Sequence, residues 1–246
     1  MQNEILKRLC EERKLKIKGG LYHKTQVAFA FDSNKIEGST LSHEQTRMIY
    51  ETKTIGGAGA SARLDDAIHA DNHFRCFDYI LDTIDKPLST QIIKELHRIL
   101  KSGTDDSKIE WFRVGDWKTK PNEVGGMRTT APKDVEAEIE KLLTWYVGVA
   151  STSPRAPTFE NLIEFHWRFE CIHPFQDGNG RVGRLILFRE CLRAGIVPFI
   201  IEGDKRDYYY RGLREFKSEP GYLIDTCKAA QDVYREWARY FDISVK

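Results

Sequence analysis

This chain lacks most marks of a secreted, membrane-spanning or disulfide-stapled protein. Its 246 residues carry only five cysteines: Cys10, Cys76, Cys171, Cys191 and Cys227. They are odd in number, scattered and never in C-x-x-C spacing, which reads as reduced thiols rather than a disulfide frame or a zinc site. Cys171, on an apolar helix, reads as a packing residue. No apolar run approaches a membrane span, and Met1-Gln2-Asn3-Glu4 opens no signal-peptide core. Those absences predict a cytoplasmic protein. The formal net charge is +1, so there is no global field to draw nucleic acid or an anionic membrane. No repeat and no long low-complexity tract appears. Gly56-Gly57-Ala58-Gly59 is glycine-rich but is not followed by Gly-Lys-Ser/Thr, which leaves a connector rather than a Walker phosphate loop.

A globular composition remains, with 41% hydrophobic and 30% charged residues and length enough for a single core. Helical periodicity runs through nearly the whole chain. It predicts helices over 3–16, 24–36, 43–53, 64–85, 90–101, 133–148, 159–172, 181–194, 205–215 and 220–241, an all-α fold. Ser42 with Gln45 forms a capping box, and Ser89 and Thr158 are further cap candidates. One stretch, Trp111 to Thr130, breaks the pattern and holds Val124-Gly125-Gly126, which suits a short hairpin.

The chemistry is concentrated in His173-Pro174-Phe175-Gln176-Asp177-Gly178-Asn179-Gly180-Arg181-Val182-Gly183-Arg184. A match to H-x-F-x-D-G-N-G-R-x-x-R at a given start is a chance event on the order of one in a billion or rarer, so these residues are read as one device. Gly178-Asn179-Gly180 can turn several backbone N–H groups one way, making an anion nest. The helix that follows adds the favourable end of its dipole. Arg181 and Arg184, three apart, can share a side of its first turn, where cations are poorly placed unless an anion binds. His173, ending the preceding helix, is the candidate base, since neutral imidazole takes a hydroxyl proton near pH 7. Asp177 is the one carboxylate in the motif and the candidate Mg²⁺ ligand. Phe175 is expected to pack inward and lock the loop.

A second segment, Phe31 to Ser39, ends a helix with Gly38 in the C′ place. Glu37 then lies in the last turn, where a negative charge wants a cationic partner, and Ser33 shares its face.

The string 173–184 resembles the signature of the Fic family, most of whose members transfer AMP from ATP to protein hydroxyls. Ser33-x-x-x-Glu37-Gly38 resembles the inhibitory motif of its regulated members, here N-terminal to the main motif. The resemblance implies a Fic-fold helical domain over 61–246 preceded by an N-terminal helical segment, 1–60, that carries the inhibitory motif, in one compact unit. It implies His173 as catalytic base. It places Phe175, Gly178, Asn179, Gly180, Arg181, Arg184, Tyr209 and Tyr210 at ATP, with Tyr210 favoured over Tyr209 for the adenine. It implies Mg²⁺ on Asp177, Glu37 pairing with Arg184 where the γ-phosphate belongs, and a target-binding flap at Val124 and Gly125. Lys217 stands where many members carry an asparagine near the base. The implied partners are ATP, a protein target bearing a Ser, Thr or Tyr hydroxyl, and the chain itself through self-modification or homo-oligomers. The short tail after Tyr240 predicts that the DNA-binding domain some relatives append is absent.

Three alternatives stand beside AMP transfer. Glu37 can activate water to remove AMP from a modified protein. A Doc-type phosphotransfer is disfavoured by Gly178-Asn179-Gly180-Arg181. A non-catalytic nucleotide sensor locked by Glu37 is the third.

Overall fold

The computed structural model describes residues 4–56, 61–152 and 157–244. Most of the glycine-rich connector at 56–59 lies outside them. The described residues form ten α-helices: α1 Glu4–Leu15, α2 Leu21–Ile36, α3 His43–Thr52, α4 Leu64–Asp82, α5 Thr90–Lys101, α6 Val135–Thr152, α7 Phe159–Ile172, α8 Asn179–Ala194, α9 Arg206–Glu215 and α10 Gly221–Tyr240. The strands β1 (Glu123–Val124) and β2 (Met127–Arg128) pair antiparallel, Glu123 opposite Arg128. The all-α reading holds. No described helix is long and apolar enough to cross a membrane.

Helix ends sit where local chemistry puts them. The Ser42–Gln45 capping box opens α3, Ser89 accepts from the Ile92 N–H at the head of α5, and Thr158 with Asn161 boxes the start of α7. At Gly125 and Gly126 φ is +57° and +77°, the paired left-handed turn that a two-residue hairpin needs. Two ends differ from expectation because a distant residue intervenes. Helix α2 begins a turn early, at Leu21, because the Glu12 carboxylate of α1 accepts the Tyr22 N–H at 2.8 Å and serves as a cap. Helix α4 stops at Asp82 rather than 85, where the Thr83 and Lys86 carbonyls are taken by the buried Arg189 side chain.

Helix α8 is the centre. From Val182 to Leu192 every residue is buried, and Phe188 packs on Phe29, Phe77 and Tyr234 of α2, α4 and α10. Apolar residues face every side of this stretch, and its buried charges Arg184, Arg189 and Glu190 are paired, so the helix belongs inside. Helices α2, α4, α5 and α7 surround it, so the first turn of α8 is fixed from four directions. Cys76, Cys191 and Cys227 are buried, whereas Cys171 is exposed, a correction to its expected packing role. It lies on the outer side of α7, between the inward-facing Phe169 and Ile172.

Candidate active site

Helix α7 closes on His173, whose N–H reaches the Phe169 carbonyl at 3.0 Å and whose backbone is left-handed at φ 51°, ψ 61°. Pro174 has no N–H with which to continue the helix. The imidazole is therefore carried by the end of a rigid element. The chain then turns over Phe175, which is fully buried and stacks face to face on His97 at 3.9 Å and 7°. The Asn179 side chain staples the turn by accepting from Phe175 N at 2.7 Å and donating to Phe175 O at 2.9 Å. Gly178, at φ +83°, lets the chain enter α8. Helix α8 starts at Asn179, not at Arg181 as expected. The Asn179 and Gly180 amides thus belong to the first helical turn, where N–H groups have no intrahelical acceptor. That turn is the candidate anion cradle.

The two arginines do not share a task. Arg181 Nη2 bonds Asp177 at 2.8 Å, and its Nη1 donates to His69 Nδ1 at 2.9 Å on α4. Arg184 reaches across to the end of α2. Its Nε donates to Ser33 Oγ at 3.0 Å, and Nη2 to the Ser33 carbonyl at 2.9 Å and to Glu37 Oε1 at 2.7 Å. Both guanidinium groups are almost sealed. Burial would weaken Arg184 as a base, but Glu37 and Tyr209 outweigh it and hold the group above the usual arginine range. Glu37 also presses on the cradle: a Cβ added at Gly180 would stand 2.5 Å from Glu37 Oε1. Serine, glutamate and arginine therefore meet as the resemblance implied.

Asp177 Oδ2 accepts from both Arg181 and Lys101, each at 2.8 Å, while its side chain stays about half exposed, 49%. Burial pushes the carboxyl up, yet Arg181 and Lys101 prevail and hold it well below the usual carboxylate range. The described residues contain no group of three acidic, histidine or cysteine side chains placed to hold a metal. One ionised hard oxygen ligand fits a cation such as Mg²⁺ that takes its remaining ligands from phosphates and water, and fits no closed protein site.

His173 is largely buried, with Nδ1 sealed from solvent and 3.9 Å from Glu170 Oε2. Burial first, then Lys118, lowers its pKa to about 4 despite the opposing Glu170 carbonyl, Asp177 and Glu37. The ring is neutral at pH 7, and Nε2 is the nitrogen left to take a proton. Behind it Glu170 is buried beneath Gly183, where an added Cβ would stand 2.4 Å from Oε1, and burial raises its pKa to about 8.

The tyrosines separate by helix geometry, since neighbours on a helix point about 100° apart. Tyr209 is fully buried, bonds His166 Nε2 at 2.7 Å and lies under Arg184 at 5.7 Å. Tyr210 is half-buried, with its hydroxyl donating to the Ile36 carbonyl at 3.4 Å. Phe175 packs inward as expected, and Tyr209 is equally sealed, whereas Tyr210 keeps an open face. Lys217 is exposed, its ammonium 5.9 Å from the Trp167 ring. Val124, at the hairpin tip, is 42% exposed.

Sequence reasoning missed Lys101, His69, His97 and Lys118. Lys101 and Lys118 are buried lysines, and nothing local to either marks it as such; His69 and His97 look like ordinary helix positions. Only Phe175 hinted at His97, as an aromatic ring that needs something flat to pack on.

An all-α fold thus brings the amides of one helix start, the His173 imidazole and the Glu37 carboxylate to one place. Residues 87–190 match the Fic/DOC family model. The chain is 28% identical to the protein adenylyltransferase Fic of Nematostella vectensis, over 75% of this chain and 42% of that protein. It is 28% identical to the protein adenylyltransferase fic-1 of Caenorhabditis elegans, over 78% of this chain and 37% of that protein. Among solved structures, a Fic domain containing signaling protein from Bacteroides thetaiotaomicron superposes with a TM-score of 0.71 at 26% identity, covering 96% of this chain and 90% of that one. Over residues 87–190 the chain is similar to Fic/DOC proteins. It spans about two fifths of the curated relatives it matches.

Proposed function

We propose that this protein transfers AMP from ATP to a Ser, Thr or Tyr hydroxyl of a protein target and that Glu37 holds the activity down. The observation that carries the reading is the Glu37 carboxylate against Gly180 and Arg184, an anion already seated at a cradle built for one. The names of the relatives, protein adenylyltransferases, support the transferred group.

The phosphates of ATP bind over the first turn of α8, where free amides and the helix dipole offset their charge. Asp177 would hold Mg²⁺, which when bound neutralises phosphate charge. Arg184, released from Glu37, becomes available to the terminal phosphate; Arg181 keeps Asp177 in place. Neutral His173 accepts the hydroxyl proton at Nε2. The hydroxyl oxygen bonds to the α-phosphorus as the α–β bridging P–O bond breaks, and pyrophosphate leaves with that electron pair. The hairpin tip at Val124 and Gly125 offers main-chain groups to an extended target segment, which strand addition can hold with little demand on its sequence.

The test is mass spectrometry of the Glu37→Gly protein incubated with a lysate, ATP and Mg²⁺. An added AMP mass on a lysate protein, or on the chain itself, is expected. No added mass under those conditions, with ATP binding intact, overturns the reading in favour of a nucleotide sensor.

A further inference from the structure

Lys118 has no place in the chemistry above, yet it is 3% exposed and built into the site. Its ammonium donates to Asn122 Oδ1 at 2.7 Å, to Thr129 Oγ1 at 2.6 Å and to the Ile172 carbonyl at 3.4 Å. Its backbone N–H donates to the Pro174 carbonyl at 2.9 Å. Asn122 immediately precedes β1 and Thr129 immediately follows β2, so one ammonium holds both feet of the hairpin. The feet are also joined to each other, Thr129 Oγ1 lying 2.5 Å from Asn122 Oδ1. Asn122 Nδ2 then donates to the Phe175 carbonyl at 3.0 Å. The carbonyls of Ile172, Pro174 and Phe175 surround His173 in the chain. All three are held from the base of the hairpin.

The arrangement is costly. Among the described residues no carboxylate stands within ion-pair distance of Lys118, so neutral oxygens alone satisfy a buried cation. Burial accordingly draws its pKa down to about 8. Two-residue strands cannot hold themselves in water, so β1 and β2 take their position from what anchors them. A buried cation kept at such cost between two elements points to a geometry worth keeping.

We propose that Lys118 is a positioning residue that pins both legs of the Glu123–Arg128 hairpin to the carbonyls around His173, and so sets how a protein segment laid along the hairpin presents its hydroxyl to the imidazole. This rests on the transfer reading and adds the residue that couples target segment to base. The clamp carries a second effect through space, because the ammonium is a cation near His173 and helps keep the ring neutral.

The test uses the full chain with Glu37→Gly as parent, alone and with Lys118→Met or Thr129→Val. Hydrogen exchange is read at the hairpin amides and at α7 and α8. Lys118→Met is expected to speed hairpin exchange about tenfold or more, with α7 and α8 unchanged and a smaller effect from Thr129→Val. The His173 imidazole, followed by NMR, is expected to titrate at higher pH in Lys118→Met. Transfer to lysate proteins is expected to fall about tenfold while ATP affinity, by calorimetry, stays within about twofold of the parent. Hairpin amides that exchange at the parent rate in Lys118→Met overturn the clamp. If that variant unfolds, which α7 exchange reports, Thr129→Val decides in the same way. A parent that moves no AMP overturns the transfer reading instead, and exchange still decides the clamp.

Discussion

Glu37 and Arg184 stand 147 positions apart in the chain and meet at 2.7 Å. Ser33, one helical turn before Glu37, accepts from Nε and Nη2 of the same guanidinium through its hydroxyl and its carbonyl. The end of α2 is thereby latched to the first turn of α8, over the amides that would receive a triphosphate.

Glu37→Gly is expected to raise AMP transfer by about a hundredfold, the gain if the latch leaves roughly one molecule in a hundred competent. Arg184 keeps both Ser33 contacts, so the loss of stability should be about 1–3 kcal/mol and the fold should survive. Incorporation of label from α-labelled ATP, beside a thermal melt, measures both. Equal incorporation by wild type and variant removes the inhibitory role.

His173→Ala is expected to cost transfer a factor of about 10²–10⁴ and leave ATP binding nearly intact, because proton acceptance is lost and the cradle is not. The position is left-handed, so alanine adds strain of about 1–2 kcal/mol, while His173→Asn tolerates that backbone and separates the two effects. Calorimetry with ATP against labelled transfer gives the comparison. A fully active alanine variant would contradict the assignment.

Gly180→Ala offers a different outcome. The added methyl would press on Glu37 Oε1 at 2.5 Å and Arg184 Nη1 at 2.9 Å, both ends of flexible side chains. The latch should loosen without loss of the helix. Transfer is nevertheless expected to stay far below the Glu37→Gly level, because the methyl covers the amides where phosphate would lie. Activation matching Glu37→Gly would mean that Gly180 is not needed at the phosphate.

Acid should destabilise the fold through its buried histidines. Burial lowers the pKa of His73 and His166 to about 3, and that of His173 to about 4. Below the unfolded value of about 6.5 the unfolded chain binds protons that the native one refuses, so stability falls as pH falls. Glu170 acts in the opposite sense. Its native pKa of about 8 lies above the ordinary 4.5, so its contribution is complete below 4.5 and is lost as pH rises through about 8. Glu170→Gln should therefore remove its share of the fall in stability between about pH 4.5 and 8 and leave the curve below pH 4.5 unchanged. Urea midpoints across the pH range measure this. An unaltered slope between about pH 4.5 and 8 in Glu170→Gln would show that its carboxyl is already ionised in the native protein.

Much of the site was legible because its parts are local. Ser42, Ser89 and Thr158 cap the helices they precede, and the strings 173–184 and 33–38 set an imidazole, a glycine turn at a helix start and a helix-end carboxylate by residue type and spacing. Capping and turn formation are decided within a few residues, so the chain states them directly. What no local pattern held is which side chains are buried together. Lys101 is an ordinary last-turn lysine until Asp106 and Asp177 meet it at 2.6 and 2.8 Å. Arg181 and Arg184, alike in sequence, divide because α4 brings His69 to one and α2 brings Ser33 and Glu37 to the other. Tyr209 and Tyr210 divide because only one of two adjacent helix positions can face the core. Sequence alone determined the helices, the cradle and the chemical inventory, since these follow from backbone preference and residue type. Tertiary structure decided the pairings, because a charge takes its partner from whatever packing leaves within reach in a low dielectric.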